Sequence, residues 1–113
     1  MSGDEQLALD LRELAEPEYP VGATIQARYE AWISANEWIL PTLARLLDDW
    51  SAHGGRKVGV KAACEWLRFF YARSIESSDF RVNNSHTSRL ARDLIEQYPH
   101  LAGVIETREL RAA

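Results

Sequence analysis

The apolar residues of this chain recur at the three- and four-residue spacing of amphipathic helices in five separate stretches. The first predicted helix covers residues 4–15, and Thr24 caps the second. The third helix starts after a break at 34–37 and ends at 53–55. The fourth covers residues 60–74, and the last covers residues 86–98, where Pro99 stops it. Ser34 and Glu37 have the spacing of a capping box, with Asn36 as the alternative cap. The fourth helix is apolar over so wide an arc that we expect it at the centre of the fold.

A proline-rich break separates the first helix from the rest of the chain. Pro17, Pro20 and Gly22 do not continue a helix. We therefore predict a helical arm and linker over residues 1–20 and a compact domain over residues 21–113. The arm is acidic and carries a leucine stripe, so three arrangements stay open. It grips a partner helix or a second copy, it packs back on its own core, or it covers a basic face of the domain.

Two short segments near the end of the chain have the residue pattern of strands. Phe80-Arg81-Val82 alternates apolar and basic side chains, and residues 103–107 contain a β-branched run. We expect these two to pair, while residues 56–60 form a brief strand or the start of a helix. The predicted fold class is mainly α with a small two-stranded β element, a winged-helix-like single domain that presents its last helix outward.

Composition excludes several classes of protein. The chain has 113 residues, 46% of them hydrophobic, which fits one globular domain. Its one cysteine, Cys64, allows no internal disulfide, and its three histidines are too far apart for a zinc site. We expect no metal, no cofactor and no enzymatic activity. No secretory signal and no stretch of roughly 18 apolar residues is evident, so we expect a cytoplasmic protein without membrane contact.

The net charge of −4 is distributed unevenly along the chain. Residues 1–53 carry ten acidic residues and three arginines, whereas residues 54–92 carry eight basic residues and three acidic ones. A basic middle in an acidic chain either pairs with the acidic part in the folded protein or forms a surface for an acidic partner.

Residues 57–110 contain three motifs in a fixed order. Phe80-Arg81-Val82-Asn83-Asn84 is followed by Arg89-Leu90-Ala91-Arg92-Asp93-Leu94-Ile95-Glu96 and then by Pro99-His100-Leu101-Ala102-Gly103-Val104-Ile105-Glu106-Thr107-Arg108. This order resembles a family of small, largely uncharacterised proteins encoded by bacteriophages and prophages. That family favours Phe-Phe where Val104-Ile105 stand here. The resemblance implies a phage or prophage setting in a bacterial host, and it transfers no activity to any residue.

The polar face of the last helix is the strongest candidate for a binding site. Arginine pairs with guanine edges, asparagine with adenine, and a helix N-terminus attracts phosphate. The candidate DNA-binding residues are Arg81, Asn83, Asn84, Ser85, Ser88, Arg89 and Arg92, flanked by Arg56, Lys57 and Lys61 at a glycine-rich helix start. His86 lies on the same predicted face. The alternative is an ordinary solvated face on which Asp93 and Glu96 pair with the two arginines one turn away.

Two functions fit these features, and a homodimer is compatible with either. The first is a non-enzymatic phage accessory protein that binds duplex DNA through its last helix. The second is a protein-binding module that engages and modulates a host factor. A DNA reader needs Arg89 and Arg92 free on a convex basic face, whereas an interaction module shows them paired and an exposed apolar patch elsewhere. The four tryptophans are expected mainly in the core, with Trp38 the best placed for exposure.

Overall fold

The computed structural model describes residues 9–77 and 80–107, which form an all-helical domain. Its four helices are α1 (Ile25–Ala35), α2 (Ile39–Ala52), α3 (Val60–Ile75) and α4 (Thr87–Gln97). Two short 3-10 turns, Asn84–His86 and Pro99–Gly103, precede and follow α4. All four helices lie where the hydrophobic periodicity predicts them, within three residues at either end.

Local capping signals account for most of the helix ends. The Thr24 hydroxyl accepts a hydrogen bond from the Ala27 amide at 3.0 Å and so begins α1. Gly54, at φ 84°, follows α2 in the left-handed conformation that favours glycine. Glu76 ends α3 in the same region at φ 55°. The predicted capping box at residues 34–37 does not form, because α2 begins without a side-chain cap and the Asn36 side chain has other partners.

Helix α2 lies at the centre of the domain and contacts both α3 and α4. Its buried residues are Ile39, Leu40, Thr42, Leu43, Ala44, Leu46 and Leu47. Helix α4 buries Leu90, Ala91 and Leu94 against it. The prediction that the fourth helix is central is wrong, since α3 buries only one face and leaves Phe69 62% exposed.

Residues 9–20, called the strap below, run over the helical core without forming a helix. The predicted helix over 4–15 is therefore absent from residues 9–15, and residues 4–8 lie outside the described part. Two contacts fix the strap in this form. The Leu14 amide donates to the Tyr71 hydroxyl at 2.9 Å, and the Asn36 side chain holds both main-chain polar groups of Ala15. These contacts satisfy backbone groups that a helix would otherwise pair internally.

The predicted two-stranded sheet is wrong, and with it the winged-helix-like arrangement. Phe80 is only 1% exposed and packs its ring 5.2 Å from that of Tyr71, so this segment is anchored in the core rather than along a partner strand. The turn at residues 99–103 instead brings Ile105 beside Val58, in one isolated parallel bridge. Within residues 9–77 and 80–107 no strand forms, and residues 56–60 contribute only that bridge before α3 begins.

Candidate functional site

Arg89 links α4 to α1. Its Nε donates to the Gln26 side-chain oxygen at 2.7 Å, and its Nη1 donates to the Ser85 carbonyl at 3.1 Å. Gln26 in turn donates to Glu30 at 3.0 Å, along the exposed side of α1. The guanidinium that the sequence assigns to base recognition is thus half-buried and hydrogen-bonded within the protein.

Tyr29 makes a second polar link between the same two helices. Its hydroxyl donates to Asp93 Oδ2 at 2.6 Å, a short bond to a charged acceptor. Burial raises the pKa of Tyr29, and the Asp93 carboxylate raises it further, so the phenol stays protonated as the donor. Asp93 therefore pairs with Tyr29, and not with Arg89 as the helical spacing suggests.

Arg92 and Ser88 lie on the outer face of α4 and are exposed. Neither side chain makes a hydrogen bond or an ion pair with another residue of the described ranges. Of the candidate DNA-binding residues on this helix, Ser88 and Arg92 therefore keep their polar groups available to a partner, whereas Arg89 does not.

His86 is buried although the sequence places it on the polar face. It is only 4% exposed, and its ring lies 5.2 Å from the Trp32 ring and 5.5 Å from the Tyr29 ring. Burial lowers the pKa of His86; Glu16 opposes this shift and Arg89 adds to it. The imidazole is therefore neutral at pH 7, and its Nδ1 has no hydrogen-bond partner among the residues that the structure describes.

The loop before α4 presents three polar candidates to solvent, namely Arg81, Asn83 and Asn84. Asn83 caps the following turn, because its Oδ1 accepts from both the amide and the hydroxyl of Ser85 at 2.9 Å. This geometry uses the acceptor of the Asn83 side chain and leaves its amide nitrogen as an outward donor. Arg81 has no hydrogen bond or ion pair to the described parts of the chain.

Two clefts flank this loop and share Arg81. The α3 cleft, of about 170 Å³, lies along α3 and is lined by Lys61, Arg68 and Arg81 together with Glu65, which pairs with Arg68 at 3.6 Å. The α1 cleft, of about 430 Å³, lies on the other side between the strap, α1 and the loop. Lys61 thus joins Arg81, as the sequence expects of the flanking basic residues. Arg56 and Lys57 are exposed in the turn after α2.

A row of aromatic residues, exposed at its two ends and half-buried between them, runs along α3 and onto the end of α2. The aromatic row consists of Trp50, Trp66, Phe70 and Phe69, with successive ring centroids 6.0, 6.1 and 6.5 Å apart. Phe69 is 62% exposed and Trp50 is 36% exposed. Arg73 lies over the Phe69 ring at 5.9 Å and closes the row with a cation–π contact.

Comparisons of the chain with protein-family models, with curated proteins and with solved structures give no match. In the described part of the chain, no group of three or more histidine, cysteine or acidic residues is arranged to hold a metal ion. None of the described helices combines the length and the apolar character needed to cross a bilayer.

The sequence does not identify the aromatic row, because it assigns the tryptophans mainly to the core. Trp32 is indeed buried, but Trp50, and not Trp38, is the most exposed of the four. The available signal is the wide apolar arc of α3. A helix that is apolar nearly all round either lies at the centre of a core or exposes part of that arc, and α3 does the latter.

Cys64 is a buried structural thiol. It is only 5% exposed, and burial raises the pKa of the Cys64 thiol to about 12. A reactive cysteine needs a stabilised thiolate and access to solvent. Although Cys64 borders the α3 cleft, it does not supply a nucleophile there.

Proposed function

We propose that this protein is a non-enzymatic binding module that docks a partner protein on its aromatic row. The observation that carries the proposal is Phe69, a large aromatic side chain that is 62% exposed in a continuous row with Phe70, Trp66 and Trp50. Contiguous apolar surface of this kind marks interaction sites in small soluble domains, and tryptophan and other aromatic residues contribute strongly to binding. The internal pairing of Arg89 also favours this function over DNA reading.

The charges around the aromatic row indicate the chemistry of the partner. Arg73 lies at the Phe69 end. At the other end, the Trp50 indole donates to the carbonyl of Arg56 at 2.5 Å, which places Arg56 and Lys57 beside it. Glu65 is already paired with Arg68 at 3.6 Å. A helix with an apolar face and acidic flanks would complement this surface, in the manner of helix-in-groove recognition.

The resemblance to phage and prophage proteins supplies a setting for this proposal. In that setting the protein acts in the bacterial cytoplasm, and its partner is a host factor that it modulates. The net charge of the chain is −4, but basic residues lie at both ends of the aromatic row. An acidic surface on the partner would account for their position.

The test is capture from bacterial lysate followed by reconstitution. Phe69→Ser removes the most exposed ring of the row, and Ile25→Ser is the matched control, because Ile25 is 52% exposed on α1 and lies outside the row. We expect a protein retained by wild type and by the control to be lost with Phe69→Ser. The purified partner should then bind at least tenfold more weakly to Phe69→Ser, a change of about 1.4 kcal/mol. Equal retention and equal affinity for all three proteins would contradict the proposal.

Duplex DNA is the second candidate partner, and the α3 cleft favours it. Lys61 and Arg81 line one cleft, where Arg68 is paired with Glu65, and Arg92 and Ser88 are unpaired and exposed on α4. Such a surface would neutralise phosphates, so binding would weaken steeply with salt. Fluorescence anisotropy with random duplex DNA at low and moderate salt tests this. Lys61→Gln should lower both the affinity and the salt dependence, and absence of binding at low salt would rule the candidate out.

A further inference from the structure

The α1 cleft brings together two arginines from separate parts of the chain. Arg28 comes from α1 and Arg81 from the loop before α4, and both side chains line the cleft. Both residues are exposed, and neither guanidinium is paired with a carboxylate in the described ranges. Glu16 is the acidic residue of the lining, and it accepts a hydrogen bond from the Tyr19 hydroxyl at 2.9 Å. The two arginines therefore outnumber the acid, and the cleft attracts anions.

Asn83 adds a neutral donor to this cationic wall. Its Oδ1 is occupied by the amide and hydroxyl of Ser85, both at 2.9 Å. The side-chain nitrogen is the remaining polar group of Asn83, which is one of the residues that line the cleft. Two guanidinium groups and an amide donor match the several acceptor oxygens of a phosphate group better than the two of a carboxylate.

His86 is a buried neighbour of the cleft. It lines the cleft although it is only 4% exposed, and its Nδ1 is buried without a partner among the described residues. Because burial lowers the pKa of His86, its ring is neutral at pH 7 and adds no positive charge to the cleft.

The cleft also has an aromatic and apolar side, to which Tyr19 and Ile25 belong. Tyr19 lies under Arg28, whose guanidinium carbon is 5.9 Å from the ring centroid, and Ile25 borders the same space with its side chain 52% exposed. The volume of about 430 Å³ falls in the usual range for small-molecule sites. A bare phosphate would leave most of this space and both of these side chains without contacts.

We propose that the α1 cleft binds a small phosphate monoester, with its phosphate on Arg28, Arg81 and Asn83 and its organic part against Tyr19 and Ile25. The site is separate from the aromatic row, so it stands or falls independently of the proposed partner binding. No covalent step is involved.

The experiment titrates the full-length protein with phenyl phosphate and follows it by calorimetry and by NMR. We expect saturable binding with a dissociation constant below about 1 mM, and shifts of the His86 ring signals. Arg28→Gln and Arg81→Gln should each weaken binding about tenfold, since each removes a charge-assisted contact. Arg45→Gln is the matched control, because Arg45 is exposed on α2 and lines neither the α1 cleft nor the α3 cleft.

Three results would overturn the assignment. The first is no saturable binding by the wild-type protein. The second is an equal loss in Arg45→Gln, which would reveal general charge attraction. The third is equal affinity for inorganic phosphate, which would remove the role of Tyr19 and Ile25. Thermal unfolding of each variant, followed by circular dichroism, verifies that the substitutions at these exposed positions leave the fold intact.

Discussion

Asn36 holds Ala15 by both of its main-chain polar groups. The Asn36 Oδ1 accepts from the Ala15 amide at 2.7 Å, and its Nδ2 donates to the Ala15 carbonyl at 2.8 Å. The same nitrogen donates to the Trp32 carbonyl at 2.9 Å, within α1. One fully buried side chain thereby fixes the strap to the end of the first helix.

Asn36→Ala should loosen the strap and destabilise the domain. The substitution removes three hydrogen bonds and leaves polar groups of Ala15 and Trp32 without partners, so we expect a loss of about 2 kcal/mol. Urea unfolding measures this change, and limited proteolysis should reveal faster cleavage within residues 9–20.

Asn36→Asp distinguishes the hydrogen bond that Asn36 accepts from the two that it donates. It retains an acceptor for the Ala15 amide but removes both donated bonds, to Ala15 and Trp32. We expect it also to destabilise the domain, because it places a carboxylate against two carbonyl oxygens. Unchanged stability in both variants would contradict the role assigned to Asn36.

Tyr29→Phe should destabilise the contact between α1 and α4. It removes the 2.6 Å hydrogen bond to Asp93 while keeping the buried ring, so the expected loss is about 1.5 kcal/mol in urea unfolding. Tyr98→Phe is the control, since the Tyr98 hydroxyl bonds to no other described residue. A double-mutant cycle with Asp93→Asn should give a clear coupling energy. Additive effects would show that the two groups act separately.

Lowering the pH should destabilise the protein through His86. Burial lowers the pKa of this histidine in the folded state, so the unfolded chain takes up the proton first. The contribution to stability is therefore fully present above the unfolded pKa of about 6.5 and is lost as the pH falls below it. Unfolding curves between about pH 7.5 and pH 5.5 measure this loss.

His86→Phe should reduce that pH dependence, because phenylalanine cannot be protonated among the rings of Trp32 and Tyr29. If the stability of His86→Phe depended on pH as strongly as that of wild type, other titratable groups would account for the effect.

Arg89→Ala should affect stability rather than nucleic-acid binding. Its two hydrogen bonds, to Gln26 and to the Ser85 carbonyl, are worth about 1 kcal/mol together. Arg92→Ala should change stability by less than about 0.5 kcal/mol. The comparison is made by urea unfolding. If Arg89→Ala abolished DNA binding and left stability unchanged, this would contradict the structural role of Arg89 and would favour α4 as a helix that recognises DNA.

The sequence predicts the four helices well because their signals are local. Thr24, Gly54 and Pro99 each act on residues within one helical turn, and the apolar periodicity does not depend on distant contacts. The strap could not be predicted in the same way. Its conformation depends on Asn36 and Tyr71, which lie 21 and 57 residues away from the groups they bind.

Contacts between residues far apart in sequence explain why some candidate residues lie elsewhere than the sequence predicts. Arg89 has the correct spacing for a recognition helix, but its partner Gln26 is 63 residues away. Phe80 begins a plausible strand, but Tyr71 and Trp38 enclose its ring in the core. Arg81, Asn83 and Asn84 do remain on the surface, because their loop has few apolar side chains to bury.

Arg81 lines both the α1 cleft and the α3 cleft. When one guanidinium group lies between two anions on opposite sides of its loop, it attracts each of them less strongly than it would attract one alone. Two anions that each used Arg81, one in either cleft, would therefore compete even though they occupied different spaces. By reciprocity, each would reduce the affinity for the other by the same factor. This one side chain would thus couple the two proposed sites as antagonists.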